Sequence, residues 1–112
     1  MRIAVPVRED KGWDSLIDER FGRGAFFAIY DTDKDSLEII ENTAKDVASG
    51  AGRQAVQLLS DNNVDVVIAY EVGPKSKDTL DALGIDAYKL DNFNMSVKEV
   101  IDLYNNNKLQ KV

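Results

Sequence analysis

The chain has 112 residues and a mass of 12.5 kDa, with 14 basic and 20 acidic side chains, so it carries a net charge of −6. That length fits one domain, 1–112, with one core, and the acidic balance argues against a broad basic surface for nucleic acid. With no cysteine and no histidine, disulfides, thiolate zinc sites, cysteine-held iron–sulfur clusters and a Ser-His-Asp triad are all excluded.

The opening Met1–Val7 has one charge and five apolar positions, too few for a secretory core. No stretch approaches the roughly 20 apolar residues of a membrane span, and a cytoplasmic location is expected. Residues 2–7 are rich in Ile and Val and predict a buried strand. Pro6 lacks an N–H and belongs near that strand's end or at a site without a ladder partner. Residues 8–24 are polar, contain Gly12, Gly22 and Gly24, and predict a long loop. Phe26–Asp31 and Leu37–Glu41 predict two strands joined by the polar turn 32–35, a hairpin.

The period then changes. Ala51, Ala55, Leu58 and Leu59 fall on one helical face, with Gly50 and Gly52 at its start. Val64–Tyr70 predicts a strand covered on both faces. Pro74 suits the first turn of a second helix running to about Leu83, with Gly84 as its C-terminal cap. Residues 85–90 predict a fifth strand. Ser96 and Glu99 match a capping box, and Val100, Ile101 and Tyr104 continue the face of a third helix. The tail from Asn105 is polar and predicts fraying. The order β-β-β-α-β-α-β-α implies a mixed sheet with packed helices, the 64–70 strand parallel to its neighbours. An uncovered edge at 37–41 would be the place for a second copy to pair.

In open α/β sheets, ligands sit beyond the carboxyl ends of the strands. Three loops compete for that place: 8–24, 43–53 and 71–75. All three carry glycine and cations: Arg20, Phe21, Gly22 and Arg23 in the first, Gly50, Gly52 and Arg53 in the second, Gly73 and Lys75 in the third. Glycines let backbone N–H groups approach a ligand, helix starts favour anions, and arginine adds a fork of donors. Two outcomes are open. The loops converge on an anion-receptive cleft, or the cations are solvated and pair with Asp18, Glu19 or Glu71. Phe21 is either a loop anchor or a wall of the cleft, and Trp13 either an anchor or part of a partner surface. Metal-dependent phosphoryl chemistry would need Glu9, Asp14 and Glu71 to converge. No phosphate loop, nucleophile elbow or other catalytic constellation is present.

Taken together, Ile3-Ala4-Val5-Pro6, Arg20-Phe21-Gly22-Arg23, Gly50-Ala51-Gly52, Val64–Ala69 and Val72-Gly73-Pro74-Lys75 resemble the dinitrogenase iron–molybdenum cofactor biosynthesis family. That family includes nitrogenase accessory proteins and the C-terminal domain of NifB. The resemblance extends to about residue 104. It implies a ribonuclease H-like three-layer α/β fold with a five-stranded mixed sheet and flanking helices. It also implies non-enzymatic binding or carriage of an iron- or molybdenum-containing sulfide cluster or cofactor precursor, with cofactor-assembly proteins as partners.

One departure bears on the chemistry. The position before Phe-Gly-Arg is commonly histidine in the family and is Arg20 here. Met1 and Met95 are the only sulfurs, so no residue stands out as a metal ligand. Two expectations follow. An anionic cluster that brings its own sulfides is held by charge and N–H donors at Arg20, Arg23, Arg53 and Lys75, with Phe21 limiting water. Alternatively the cleft has lost cluster binding and serves a small anion or a protein partner.

Overall fold

The Ile- and Val-rich segment β1 (Arg2–Val7) lies inside the sheet, paired on both sides. The computed structural model describes residues 1–112. After β1 come a single 3₁₀ turn (Gly12–Asp14), β2 (Phe26–Asp31), β3 (Ser36–Glu41), α1 (Ala51–Asp61), β4 (Val66–Ala69), α2 (Pro74–Ala82), β5 (Asp86–Lys89), α3 (Val97–Asn105) and β6 (Gln110–Lys111). The sheet order is β3-β2-β1-β4-β5-β6. β1, β2 and β3 form an antiparallel meander, and β4 runs parallel to both β1 and β5, as the right-handed crossover rule requires.

Alternation along the strands assigns the two faces. Ala4, Phe27, Ile29, Val67 and Ala69 face one way and pack against Ala55, Val56 and Leu59 of α1 and Leu80 of α2. Ile3, Val5, Val7, Ala28, Val66 and Ile68 face the other way and meet Val97, Val100 and Ile101 of α3. The molecule is therefore helix, sheet, helix in section. Trp13 anchors the first loop on the α3 side, edge-on to Tyr30 with ring centroids 5.1 Å apart. Pro6 costs the ladder nothing: its carbonyl accepts from Asp18 N–H at 2.9 Å, and the loop segment at Ile17 bridges to Val7.

Two expectations need correction. The sheet has six strands, not five, and residues 110–111 of the polar tail pair antiparallel with β5 instead of fraying, Lys89 opposite Gln110 and Tyr88 opposite Lys111. Val112 N–H closes the pairing on Ala87 O at 2.8 Å. This strand covers what would otherwise be an open edge, without any apolar alternation of its own. β3 remains the edge on the far side, with Glu38 and Glu41 exposed along it. No helix is long and apolar enough to cross a membrane.

The β2–β3 hairpin turn is held by Asp31, whose carboxylate accepts from the amides of Asp33 (3.0 Å) and Lys34 (3.3 Å) and lies 3.5 Å from the Arg2 guanidinium. Burial works to raise its pKa, but the Lys34 and Asp33 amides outweigh it and hold the group below the ordinary carboxylate value. A depressed folded-state pKa contributes stability that is present above the unfolded value of about 3.9 and lost as pH falls through the folded one. The stability difference between wild type and Asp31→Asn is therefore expected to be full above about pH 4 and to shrink below it. Urea-denaturation midpoints across a pH series check this.

Candidate functional site

Because β2 reverses between them, β1 and β3 point the same way, and both are parallel to β4. The loops that leave their carboxyl ends, 8–25, 42–50 and 70–73, therefore emerge at one end of the sheet. Connections from β1 and β4 depart in opposite directions, so a crevice opens at this switch point. The crevice is a cleft of about 390 Å³. Arg20, Phe21, Gly22, Arg23, Gly50, Gly52, Arg53, Gly73 and Lys75 all line it, together with Ala51, Glu71 and Ser76. A neighbouring hollow of about 430 Å³, bounded by Ala69–Gly73, Lys89 and Val112, shares Glu71 and Gly73 with it but contributes only one cation, Lys89.

Glycine is required at the cleft by close approach. A Cβ on Gly22 would lie 2.8 Å from the Gly52 nitrogen and 2.9 Å from its Cα, and a Cβ on Gly52 would lie 2.0 Å from Ser76 Oγ. The first loop thus meets α1 backbone to backbone, and α1 meets α2 with the Ser76 side chain against the Gly52 backbone. Gly50 takes φ +74° at the N-cap of α1, a left-handed conformation glycine adopts freely.

The two helix starts at the cleft are bare. Gly50 and Gly73 are N-caps without a capping side chain, whereas α3 is closed by the Ser96–Glu99 capping box. The first intrahelical bonds run from Gln54 N–H to Gly50 O (3.0 Å) and from Lys77 N–H to Gly73 O (2.9 Å). The amides of Ala51, Gly52, Arg53, Lys75 and Ser76 have no protein acceptor, and Pro74 has no N–H to satisfy. Partial positive charge is therefore presented from two directions.

The four cations differ in what they are free to do. Arg20 is committed to Asp18, which is only 5% exposed: Nε donates to Oδ1 at 3.2 Å and Nη2 to Oδ2 at 3.3 Å. This hydrogen bond, with the carboxylate charge behind it, raises the Arg20 pKa above its already high value. Arg23 donates from Nη1 to the carbonyls of Lys45 and Val47, both at 3.0 Å, and so clamps the 43–49 segment beside the cleft. Arg53 and Lys75 enter no ion pair. Glu71 is the one carboxylate on the cleft wall.

Phe21 is 4% exposed and packs against Phe27 in the core, centroids 5.6 Å apart, so its ring anchors the loop beneath the cleft. Glu9, Asp14 and Glu71 do not come together: no group of three carboxylates is placed to hold a metal ion. Sequence reasoning missed Asn42 and Ser76. Asn42 is fully buried, donates to Gly22 O (3.0 Å) and Gly24 O (2.9 Å), and accepts from Ala44 N–H (3.1 Å). A lone asparagine after a strand reads as a turn former, and nothing local shows that it fixes a loop 20 residues away. Asn42→Ala orphans these groups and is expected to cost roughly 1–3 kcal/mol. The same change should raise amide exchange across 20–25, read by hydrogen exchange beside urea denaturation.

The model of the family described as dinitrogenase iron–molybdenum cofactor matches residues 1–107, and the chain belongs to that family. An uncharacterised protein of Methanocaldococcus jannaschii is 32% identical, covering 99% of this chain and 91% of its own length. The apo form of the orange protein of Desulfovibrio gigas superposes with a TM-score of 0.91 at 29% identity, covering 99% of this chain and 92% of that one. A Thermotoga protein provisionally described as NifB superposes with a TM-score of 0.84 at 34% identity, covering 98% and 91%.

Proposed function

We propose that this protein is a non-enzymatic carrier for an anionic iron- or molybdenum-containing sulfide cluster or cofactor precursor, which is its cargo. The observation that carries the proposal is the meeting of two uncapped helix N-termini with unpaired Arg53 and Lys75 in one cleft of a protein whose net charge is −6. Family membership supports the choice of cargo. The donor set fits a cluster that arrives complete. With neither cysteine nor histidine in the chain, the protein supplies N–H groups and positive charge, and the cargo supplies its own sulfides. Backbone amides at helix starts are already oriented toward such an anion, and partial exclusion of water in the cleft strengthens the attraction. Arg20 and Arg23 act mainly on the frame, through Asp18 and the 43–49 carbonyls. The 3-2-1-4-5 core of the strand order supports placing the fold in the ribonuclease H-like class. Exchange with cofactor-assembly proteins follows from a carrier role, and the open cleft permits it.

The test is anaerobic titration with preformed iron–sulfide and molybdenum–sulfide clusters, followed by gel filtration and metal analysis. Stoichiometric co-elution is expected. The Arg53→Ala, Lys75→Ala double variant should bind at least about tenfold more weakly, since one hydrogen bond to a charged group contributes about 1.5–3 kcal/mol. Retention of no cluster by the wild type would remove the carrier function. Glu71→Gln takes a like charge off the wall and should tighten retention about two- to tenfold. Equal or weaker binding by that variant would contradict an anionic cargo.

A further inference from the structure

Ser76 sits in the first turn of α2 and is only 7% exposed, and its hydroxyl, which has no protein partner, is the part of it left open to the cleft. A serine or threonine inside a helix can turn its hydroxyl back to the carbonyl four residues earlier, an option a first-turn residue such as Ser76 lacks. Thr79 does this three residues on, donating to Lys75 O at 3.0 Å. Ser76 instead turns its Oγ to the cleft, over the Gly52 Cα, where even a methyl group on Gly52 would collide with it. Water reaches the Oγ there, so the hydroxyl carries no penalty in the free protein and is available to donate to a ligand. Gly52, which it touches, and Arg53 have partnerless amides at the start of α1, as Lys75 and Ser76 do at the start of α2, and all four residues line the cleft.

We propose that Ser76 Oγ and these amides form a floor subsite for a single tetrahedral oxyanion of charge −2, the class of molybdate and phosphate. The proposal rests on reading the cleft as an anion site, and adds to it a small hard ligand distinct from a metal–sulfide cargo. Donors from two helix starts and a hydroxyl are not coplanar, so they reach different oxygens of a tetrahedron. Gly22, Gly52 and the Ser76 side chain close together at the floor of the cleft. A hydroxyl donor also favours oxygen, with O···O separations of about 2.5–3.0 Å. Ser76 is thus a specificity residue at the base of the cleft, and Arg53 and Lys75 supply charge above it. The oxyanion and a cluster would compete for the same amides.

The experiment titrates ¹⁵N-labelled protein with sodium molybdate and, separately, sodium phosphate, following the amides of 51–53 and 75–76. Saturable shifts at these amides are expected. Ser76→Ala should weaken the affinity about three- to tenfold, while Lys77→Ala, whose side chain pairs with Asp81, should leave it within twofold. Because Ser76 Oγ holds no protein partner, the Ser76→Ala unfolding midpoint should match wild type, which separates lost binding from lost fold. A response to either anion supports the subsite, and the ratio of affinities gives its size preference. Shifts that do not saturate, shifts elsewhere, or equal affinity in Ser76→Ala overturn it. Cluster retention without an oxyanion response removes the subsite and leaves the carrier function standing. An oxyanion response without cluster retention does the reverse.

Discussion

The loop that follows β1 lies with its backbone directly on the first turn of α1, Gly22 against Gly52, and α1 in turn lies against Ser76 of α2. This three-way approach sets the geometry of the cleft. It brings the starts of two helices that follow different strands to one place, and leaves the outer amides of both facing the cleft. Asn42 enforces it from behind by holding the carbonyls of Gly22 and Gly24, while Asp18 steadies Arg20 in the same loop. A side chain at Gly22 would force backbone apart, because the nearest atoms are main chain, and one at Gly52 would displace the Ser76 hydroxyl. The packing that makes the fold thus also exposes the donors.

Charge distribution gives that arrangement a direction. An acidic protein repels anions at long range, so a local cluster of N–H dipoles and cations has to act at short range, where water is partly excluded. The cleft also divides labour. Arg20 and Arg23 are hydrogen-bonded to the protein and define shape, and Arg53 and Lys75 are unpaired and define charge. Glu71 sets an opposing charge on the wall. On the carrier function proposed above, such a carboxylate weakens retention and favours release.

Much of this was legible in the sequence. The hairpin, the β4 strand and the three helices announce themselves by period, by Pro74 and by the Ser96 capping box, because these signals are local. The cleft residues were legible as glycine and cation pairs at the ends of apolar runs. What stayed hidden depends on partners distant in the chain. Gln110 and Lys111 form a strand only because β5 offers an edge, and neither residue is apolar. Phe21 reads equally as a wall or an anchor until Phe27 is placed beside it. Ser76 looks like any polar residue in a helix, and its significance comes from Gly52, 24 positions earlier.

The central claim is the position of the cargo. Crystals soaked anaerobically with a molybdenum–sulfide cluster and measured at the molybdenum absorption edge locate the metal without reference to any mutation. The anomalous peak is expected inside the cleft bounded by Gly22, Arg53, Gly73 and Lys75, with no protein side chain bonded to the metal. A peak at any other surface, or a metal ligated directly by a carboxylate or by Met95, would contradict a charge-held cluster between two helix starts.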